Sequence, residues 1–154
     1  MLRYLILKGI EVQMKTEVLI IGGSFAGLAA AMQLVRGHRE VVVLDAGRPR
    51  NRFAAHAHGV FGMDGKSPEE IKNIVLDQLK YYPSFQYRKG EAVRGTYDEL
   101  QQRFIIGTSE FEIIAKKVIL ATGVKDQLPQ IKGLTERWGK TVVHCPYCHG
   151  YELS

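Results

Sequence analysis

Cysteine is scarce. The chain of 154 residues holds two, Cys145 and Cys148. Two cannot build the disulfide framework that staples a small secreted protein. Long apolar runs are missing as well: the longest extend over a few residues, far short of the ~20 that a membrane-spanning helix needs. The leading segment has a short apolar stretch, Tyr4-Leu5-Ile6-Leu7, but neither the long apolar core nor the small-residue cleavage site of a signal peptide. The expected location is therefore the cytoplasm, with no membrane partner. Nor is there a dense stripe of one charge. Lys and Arg number 21 against 16 Asp and Glu, a net charge of +5 that is scattered along the chain. A nucleic-acid face shows a denser basic stripe with interleaved aromatics, so no nucleic-acid partner is expected. The one local basic group, Arg48, Arg50 and Arg52, suits a phosphate-bearing small ligand better. Internal repeats and low-complexity segments are absent.

What is present is an ordinary domain's worth of core-forming residues, 45% hydrophobic and 24% charged, with 16 glycines that follow no collagen-like period. Met14 stands directly before Lys15-Thr16-Glu17, where a first strand would begin, so residues 1–13 read as an N-terminal extension. Val18–Ile21 is a buried parallel strand running into Gly22-Gly23. Residues 24–35 have helical character, with Gly27, Ala30, Ala31 and Leu34 forming a face of small residues, and Gly37 closes the helix. Val41–Leu44 is a second buried strand ending at Asp45, which completes a strand–helix–strand crossover. A loop over residues 46–66 is rich in Gly, Arg and His. Ser67-Pro68-Glu69-Glu70 then predicts a capping box with proline at the first helical position, and Ile71, Ile74, Val75 and Leu79 carry the helix to about Tyr81. After Pro83 the period changes. Runs near 85–96, 103–106 and 111–115 predict an antiparallel meander. Val118-Ile119-Leu120-Ala121-Thr122-Gly123 predicts one more buried strand, ending at the glycine.

Two clusters carry chemistry. The turn Gly22-Gly23-Ser24-Phe25-Ala26-Gly27 matches G-x-G-x-x-G at its first and last glycines, with Ser24 at the middle one. The first position permits the tight turn, the middle one lets backbone approach a pyrophosphate, and the last lets helix and strand pack closely. The helix N-terminus adds N–H groups and a positive dipole end. Asp45 falls at the end of the second strand, where a carboxylate accepts from ribose hydroxyls. Strand, turn, helix and acid together point to a dinucleotide. The second cluster is Cys145-Pro146-Tyr147-Cys148. This spacing lets two sulfurs close a small disulfide on a helix's first turn, where the dipole lowers a thiol pKa and favours exchange. A zinc site is the competing use, with His144, His149, His56 and His58 as further ligands. No second matched pair supports it, and His56 and His58 would point apart on an extended loop, so no metal site is expected.

These pieces together resemble a known family. Ile20-Ile21-Gly22-Gly23-Ser24, the run from Asp45-Ala46-Gly47 through Arg52-Phe53, Ala121-Thr122-Gly123 and Cys145 through Glu152 are similar to the N-terminal half of the thioredoxin-reductase-like, FAD-dependent pyridine nucleotide-disulfide oxidoreductases. The resemblance runs from Lys15 onward. It implies a Rossmann-like, three-layer α/β FAD/NAD(P)-binding fold, a parallel sheet with an antiparallel β-meander, C-terminally incomplete. It implies FAD held by Gly22, Gly23, Ser24, Ala26, Gly27, Asp45 and Ala46. Ala121, Thr122 and Gly123 would make a second contact, Val93 a backbone contact to adenine, and Arg52 would lie in the loop that wraps the flavin. Cys148 would face the flavin and form the charge-transfer thiolate, Cys145 would exchange with substrate, and His149 would be the acid/base beside them. Ordinary thioredoxin reductases have an acid in place of His149. The departure is more like the branch of small-molecule dithiol oxidases and points away from thioredoxin itself as substrate.

The expected division is an FAD-binding portion over 14–126, then residues 127–154 as a linker and the start of an NAD(P)H-binding domain that carries the dithiol. NAD(P)H is implied, yet no second glycine fingerprint occurs in the sequence. The expected partners are a small-molecule or protein dithiol/disulfide, and a second copy or a complementing C-terminal half. A chain of this length is expected to be a fragment without turnover of its own. Two alternatives stand beside the enzyme: a half-domain that holds FAD or ADP without catalysis, and a zinc-binding structural protein.

Overall fold

In a computed structural model the described residues are 13–143, 145–147 and 151. The first strand, β1 (Gln13–Ile21), buries Leu19 and Ile20 completely. A strand covered on both faces reads as an unbroken apolar run, which is why Val18–Ile21 does not alternate. Of the expected extension only Gln13 lies among the described residues, and it is the first residue of β1.

The helix α1 (Phe25–Arg36) follows, then β2 (Val41–Asp45), buried along its whole length. The buried face of α1 is Gly27, Leu28, Ala31 and Val35, so the expected face is corrected: Ala30 and Leu34 are only half-buried. Gly27 fixes the helix's rotation by its contact with the turn below, and residues 27, 31 and 35 then lie along one row. Gly37 does cap the helix, but its φ is −82°, and the left-handed residue is His38 at +57°. His38 N–H donates to Val35 O and Arg39 N–H to Leu34 O, both at 3.0 Å, the paired bonds of a Schellman ending.

A short 3-10 helix (Arg50–Phe53) precedes α2 (Pro68–Leu79). The capping box forms as the sequence predicts. Ser67 N–H donates to a Glu70 carboxylate oxygen at 2.8 Å, and Glu70 N–H donates to Ser67 Oγ at 3.2 Å. The remaining elements are β3 (Phe85–Lys89), β4 (Arg94–Asp98), β5 (Arg103–Gly107), β6 (Glu112–Leu120) and a single-turn helix α3 (Leu134–Arg137).

All six strands form one mixed sheet, ordered β3-β2-β1-β6-β5-β4. The Rossmann-like parallel core with an appended meander is as expected, but the strands divide differently. Residues 85–96 are not one strand. Gly90, at φ +156°, separates β3, a parallel edge strand beside β2, from β4 in the meander. The expected strands at 111–115 and 118–123 are one strand, β6, and it ends at Leu120, before Ala121-Thr122-Gly123. It runs parallel to β1 along its length and antiparallel to β5 only over Glu112–Ala115. Beyond Ala115 it pairs with β1 alone. Val118 and Ile119 are therefore half-buried and Leu120 is 74% exposed, where a buried strand was expected.

The chain makes two compact units, Met1–Gly47 with Leu79–Thr122, and Arg48–Gln78 with Gly123–Ser154. The sheet belongs to the first. One apolar cluster there joins Leu19, Val42, Leu44, Ile106, Ile113 and Ala115. Each large aliphatic side chain so buried contributes roughly 1.5–3 kcal/mol.

Candidate functional site

One corner of the first unit is built where three strands end. Gly22 N–H donates to Leu44 O and Ala121 N–H to Ile21 O, both at 2.8 Å, so the turn after β1 is tied to the ends of β2 and β6. Gly22 has φ +112°, and a Cβ on it would lie 2.1 Å from Ala121 O. A Cβ on Gly27 would lie 1.9 Å from Gly22 O. Both glycines thus serve close backbone approach, as the fingerprint predicts. Gly23 meets the acid: a Cβ there would stand 2.7 Å from Asp45 Cβ and 2.9 Å from Asp45 Oδ2.

Ser24 is the N-cap of α1 and its side chain makes no capping bond, so the first-turn N–H groups are not satisfied by that hydroxyl. Ala26 lies exposed in that turn. Asp45 is 7% exposed. Its Oδ1 accepts from Gly47 N–H at 3.0 Å and its Oδ2 from the Tyr87 hydroxyl. Ala46 is exposed beside it, Ala121 is half-buried at the end of β6, and Thr122 is exposed. Val93 is 61% exposed, and its N–H donates to Gly107 O at 2.9 Å. The structure brings Gly22, Gly23, Gly27, Asp45 and Ala121 together.

The second unit holds Arg52, Gly123 and Cys145. In the basic group at its start, two arginines have partners within the protein. Arg50 makes a forked bond to Asp126, with Nη2–Oδ1 at 2.6 Å and Nε–Oδ2 at 2.9 Å. Arg52 donates to Pro49 O at 2.9 Å, and its guanidinium carbon lies 4.2 Å from the centre of the Phe53 ring. Gly123 is left-handed at φ +66° with open space where a side chain would go.

Cys145 is half-buried and directly precedes helical residues 146 and 147, the helix-start setting expected for a dithiol. Its expected partners Cys148 and His149 lie outside the described residues, as does His144. Tyr147, between the cysteines, packs on Gly59: a Cβ there would be 3.1 Å from the phenol oxygen. Gly59 N–H also donates to Asp64 at 2.7 Å. That bond, helped by the nearby His58, holds the Asp64 carboxyl below its ordinary pKa. The His56 and His58 rings do not point fully apart, their centres being 6.5 Å from each other, but each has its own partner: Gly65 O for His56, Asp64 for His58. Among the described residues no group of His, Cys, Asp and Glu could hold a metal ion.

Three features carried no readable signal. Tyr87 reaches Asp45 because β3 sets Tyr87 level with Val43, two residues before the acid on the same face. Arg50 meets Asp126, and Tyr147 meets Gly59, each across a long stretch of sequence. Only strand register and loop path bring these partners together.

Comparison with known proteins agrees with this geometry. Thioredoxin reductase tcpT of Claviceps purpurea (strain 20.1) is 36% identical over 138 residues, covering 88% of this chain and 43% of that protein. The crystal structure of the oxidoreductase from Agrobacterium tumefaciens superposes with a TM-score of 0.85 at 47% identity, over 92% of this chain and 48% of that one. HlmI superposes with a TM-score of 0.84 at 36% identity, over 95% of this chain and 45% of that one. The chain thus spans less than half the length of each. The model of the pyridine nucleotide-disulphide oxidoreductase family matches residues 16–154, and the chain belongs to that family.

Proposed function

We propose that the chain is the nucleotide-binding and dithiol-bearing part of an FAD-dependent thiol–disulfide oxidoreductase, and that electrons pass between flavin and a substrate disulfide or dithiol through Cys145 and Cys148. The observation that carries it is the meeting of Gly22 with Ala121 and of Gly23 with Asp45, backbone and acid converging where a Cβ would collide. That cradle fits an adenine dinucleotide. Gly22, Gly23, Ser24, Ala26 and Gly27 would hold the pyrophosphate at the start of α1. Asp45 and Ala46 would hold the ribose, Val93 the adenine, and Ala121, Thr122 and Gly123 a second stretch of the nucleotide. Arg52 would belong to the loop that wraps the flavin, as the resemblance implies.

Bound FAD would supply two-electron redox chemistry. The chain's own residues would handle the sulfur and the protons. The Cys145 thiolate attacks a substrate disulfide, forming a mixed disulfide and releasing one substrate thiolate. The Cys148 thiolate then attacks Cys145, closing the Cys145–Cys148 disulfide and releasing the second thiolate. His149, whose side-chain type titrates near neutrality, gives and takes the protons. In the opposite direction a substrate dithiol is oxidised by the same steps reversed.

NAD(P)H would be the outer electron donor or acceptor, at a site formed by sequence other than these 154 residues, because they hold one glycine fingerprint. The chain alone is therefore expected to bind flavin without sustained turnover. Its expected partners are a small-molecule or protein dithiol/disulfide and a second copy or complementing half, with no role for nucleic acid or membrane. No helix among the described residues is long and apolar enough to cross a membrane, and the cytoplasm is the proposed location.

The test is flavin absorbance of the purified chain, with and without added FAD, followed by NADPH-driven disulfide reduction. Flavin bound at one equivalent without turnover is the expected result. Turnover by the chain alone overturns the need for a further part. Absence of flavin binding together with one equivalent of zinc, lost in Cys145→Ser, overturns the redox role.

A further inference from the structure

The acid at the end of β2 is held by a residue that no fingerprint marks. Asp45 is almost fully buried, and a buried carboxylate is costly unless it is hydrogen-bonded. It has a donor on each oxygen: Gly47 N–H on Oδ1 at 3.0 Å and the Tyr87 hydroxyl on Oδ2. We propose that Tyr87 is a positioning residue for adenosine, fixing Asp45 so that the carboxylate accepts the two hydroxyls of an adenine nucleotide's ribose. The assignment rests on the nucleotide-binding role proposed above.

The torsion that turns a carboxylate about its Cβ–Cγ bond is broad and soft. A single donor leaves it able to swing; donors to both oxygens do not. The Gly47 bond comes from the adjoining loop of the same segment. The Tyr87 bond comes from another strand, β3, whose register against β2 sets Val43 beside Tyr87. Gly23 closes the third side, with no room for a Cβ beside Oδ2. The plane of the carboxylate is thereby set against the glycine turn. A carboxylate offers about four acceptor positions in all. A cis-diol presents two hydroxyls at the matching spacing. The phenol suits this role because it donates without bringing a positive charge. β3 is an edge strand, where a tyrosine hydroxyl has water within reach, yet this one turns to the acid.

The experiment titrates ADP, 2′-deoxy-ADP and 3′-deoxy-ADP into the chain and into Tyr87→Phe by calorimetry. In the unmutated chain removing either hydroxyl should weaken binding about tenfold. In Tyr87→Phe, ADP should bind roughly fivefold weaker and the deoxy penalty should fall to about twofold, because a loosened carboxylate no longer reads the diol. Unchanged ADP affinity in the variant overturns the assignment. So does an equal loss for all three nucleotides, the mark of a merely structural role. A crystal structure of the unmutated chain with ADP is the second measurement, should Tyr87→Phe not fold. The ribose hydroxyls on Asp45 with Tyr87 still on Oδ2 supports the proposal, and a displaced Tyr87 overturns it. ADP binding in the unmutated chain with no effect at Tyr87 fails Tyr87 alone. Binding of neither FAD nor ADP fails the nucleotide-binding role and this assignment with it.

Discussion

The glycines of the fingerprint turn in the first unit and those of the second unit meet different neighbours. In the first, Gly22 and Gly27 meet backbone: a Cβ on either would fall within about van der Waals overlap of a carbonyl oxygen, at 2.1 and 1.9 Å. In the second, Gly59 and Gly139 meet aromatic rings, Tyr147 and Phe53, and Gly123 meets nothing within 4 Å. Backbone cannot move aside without breaking the sheet, whereas a side chain can turn. The corner built around the fingerprint turn is therefore rigid by construction. At Gly59 and Gly139 of the dithiol-bearing unit the neighbours are side chains, which tolerate change better.

The largest expected effect breaks the first half of that comparison. Gly27→Ala gains about 1 kcal/mol of helix propensity. It also drives a Cβ to 1.9 Å from Gly22 O, where the turn and α1 must separate. Collisions of this kind belong with the most damaging single substitutions, those above roughly 4 kcal/mol, so the clash wins. Urea unfolding should show most of the first unit's stability lost, and flavin binding lost with it. A variant of normal stability would mean that the turn is not rigid.

Gly123→Ala sharpens the same point at lower cost. No atom obstructs its Cβ, so only the left-handed backbone at φ +66° opposes it, a penalty of about 1–2 kcal/mol. A difference of at least about twofold in ΔΔG between Gly27→Ala and Gly123→Ala is the expected pattern by unfolding. Equal effects would erase the distinction between backbone contact and conformation alone.

The contrast also explains what was legible in the sequence. Gly22, Gly27 and Asp45 follow from local chain order, because strand, turn, helix and strand fix their places within a few residues. The capping box at Ser67 and Glu70 is local in the same way. Tyr87 on Asp45 needs the register of β3, Arg50 on Asp126 spans 76 residues, and Tyr147 on Gly59 spans most of the chain. Nothing local encodes those meetings. The strands of the meander divide differently from the sequence pattern for a related reason. Residues 111–120 read as two strands because Lys116-Lys117 interrupts the apolar run. The lysines fall where β5 stops pairing and β6 becomes exposed, so the charge marks a loss of cover and not the end of a strand.

The Arg50–Asp126 pair tests how the second unit is held. Its geometry is bidentate, but the side chains are 38% and 24% exposed, so solvent screens the charge. A double-mutant cycle with Arg50→Met and Asp126→Asn should return a coupling of about 1 kcal/mol or less, falling further in high salt. A coupling of several kcal/mol would make this ion pair a rigid anchor comparable to the glycine turn.

The smallest effect concerns the start of α2. The Glu70 carboxyl is held below its ordinary pKa first by the Ser67 hydroxyl and then by the Ser67 N–H. A group whose pKa falls on folding adds stability that is fully present above the unfolded value, about 4.5, and is lost as pH drops through the folded one. The helix start should thus weaken below about pH 4.5, in step with protonation of Glu70. Glu70→Gln keeps a side-chain acceptor for Ser67 N–H but cannot ionise, so it should flatten this part of the pH profile while losing little at neutral pH. Hydrogen exchange of the first-turn amides of α2, measured from pH 3 to 6 and corrected for intrinsic rates, reads the difference. If the unmutated chain and Glu70→Gln show the same pH dependence, the capping box contributes nothing through charge, and the second unit's helix stands on hydrogen bonding and burial alone.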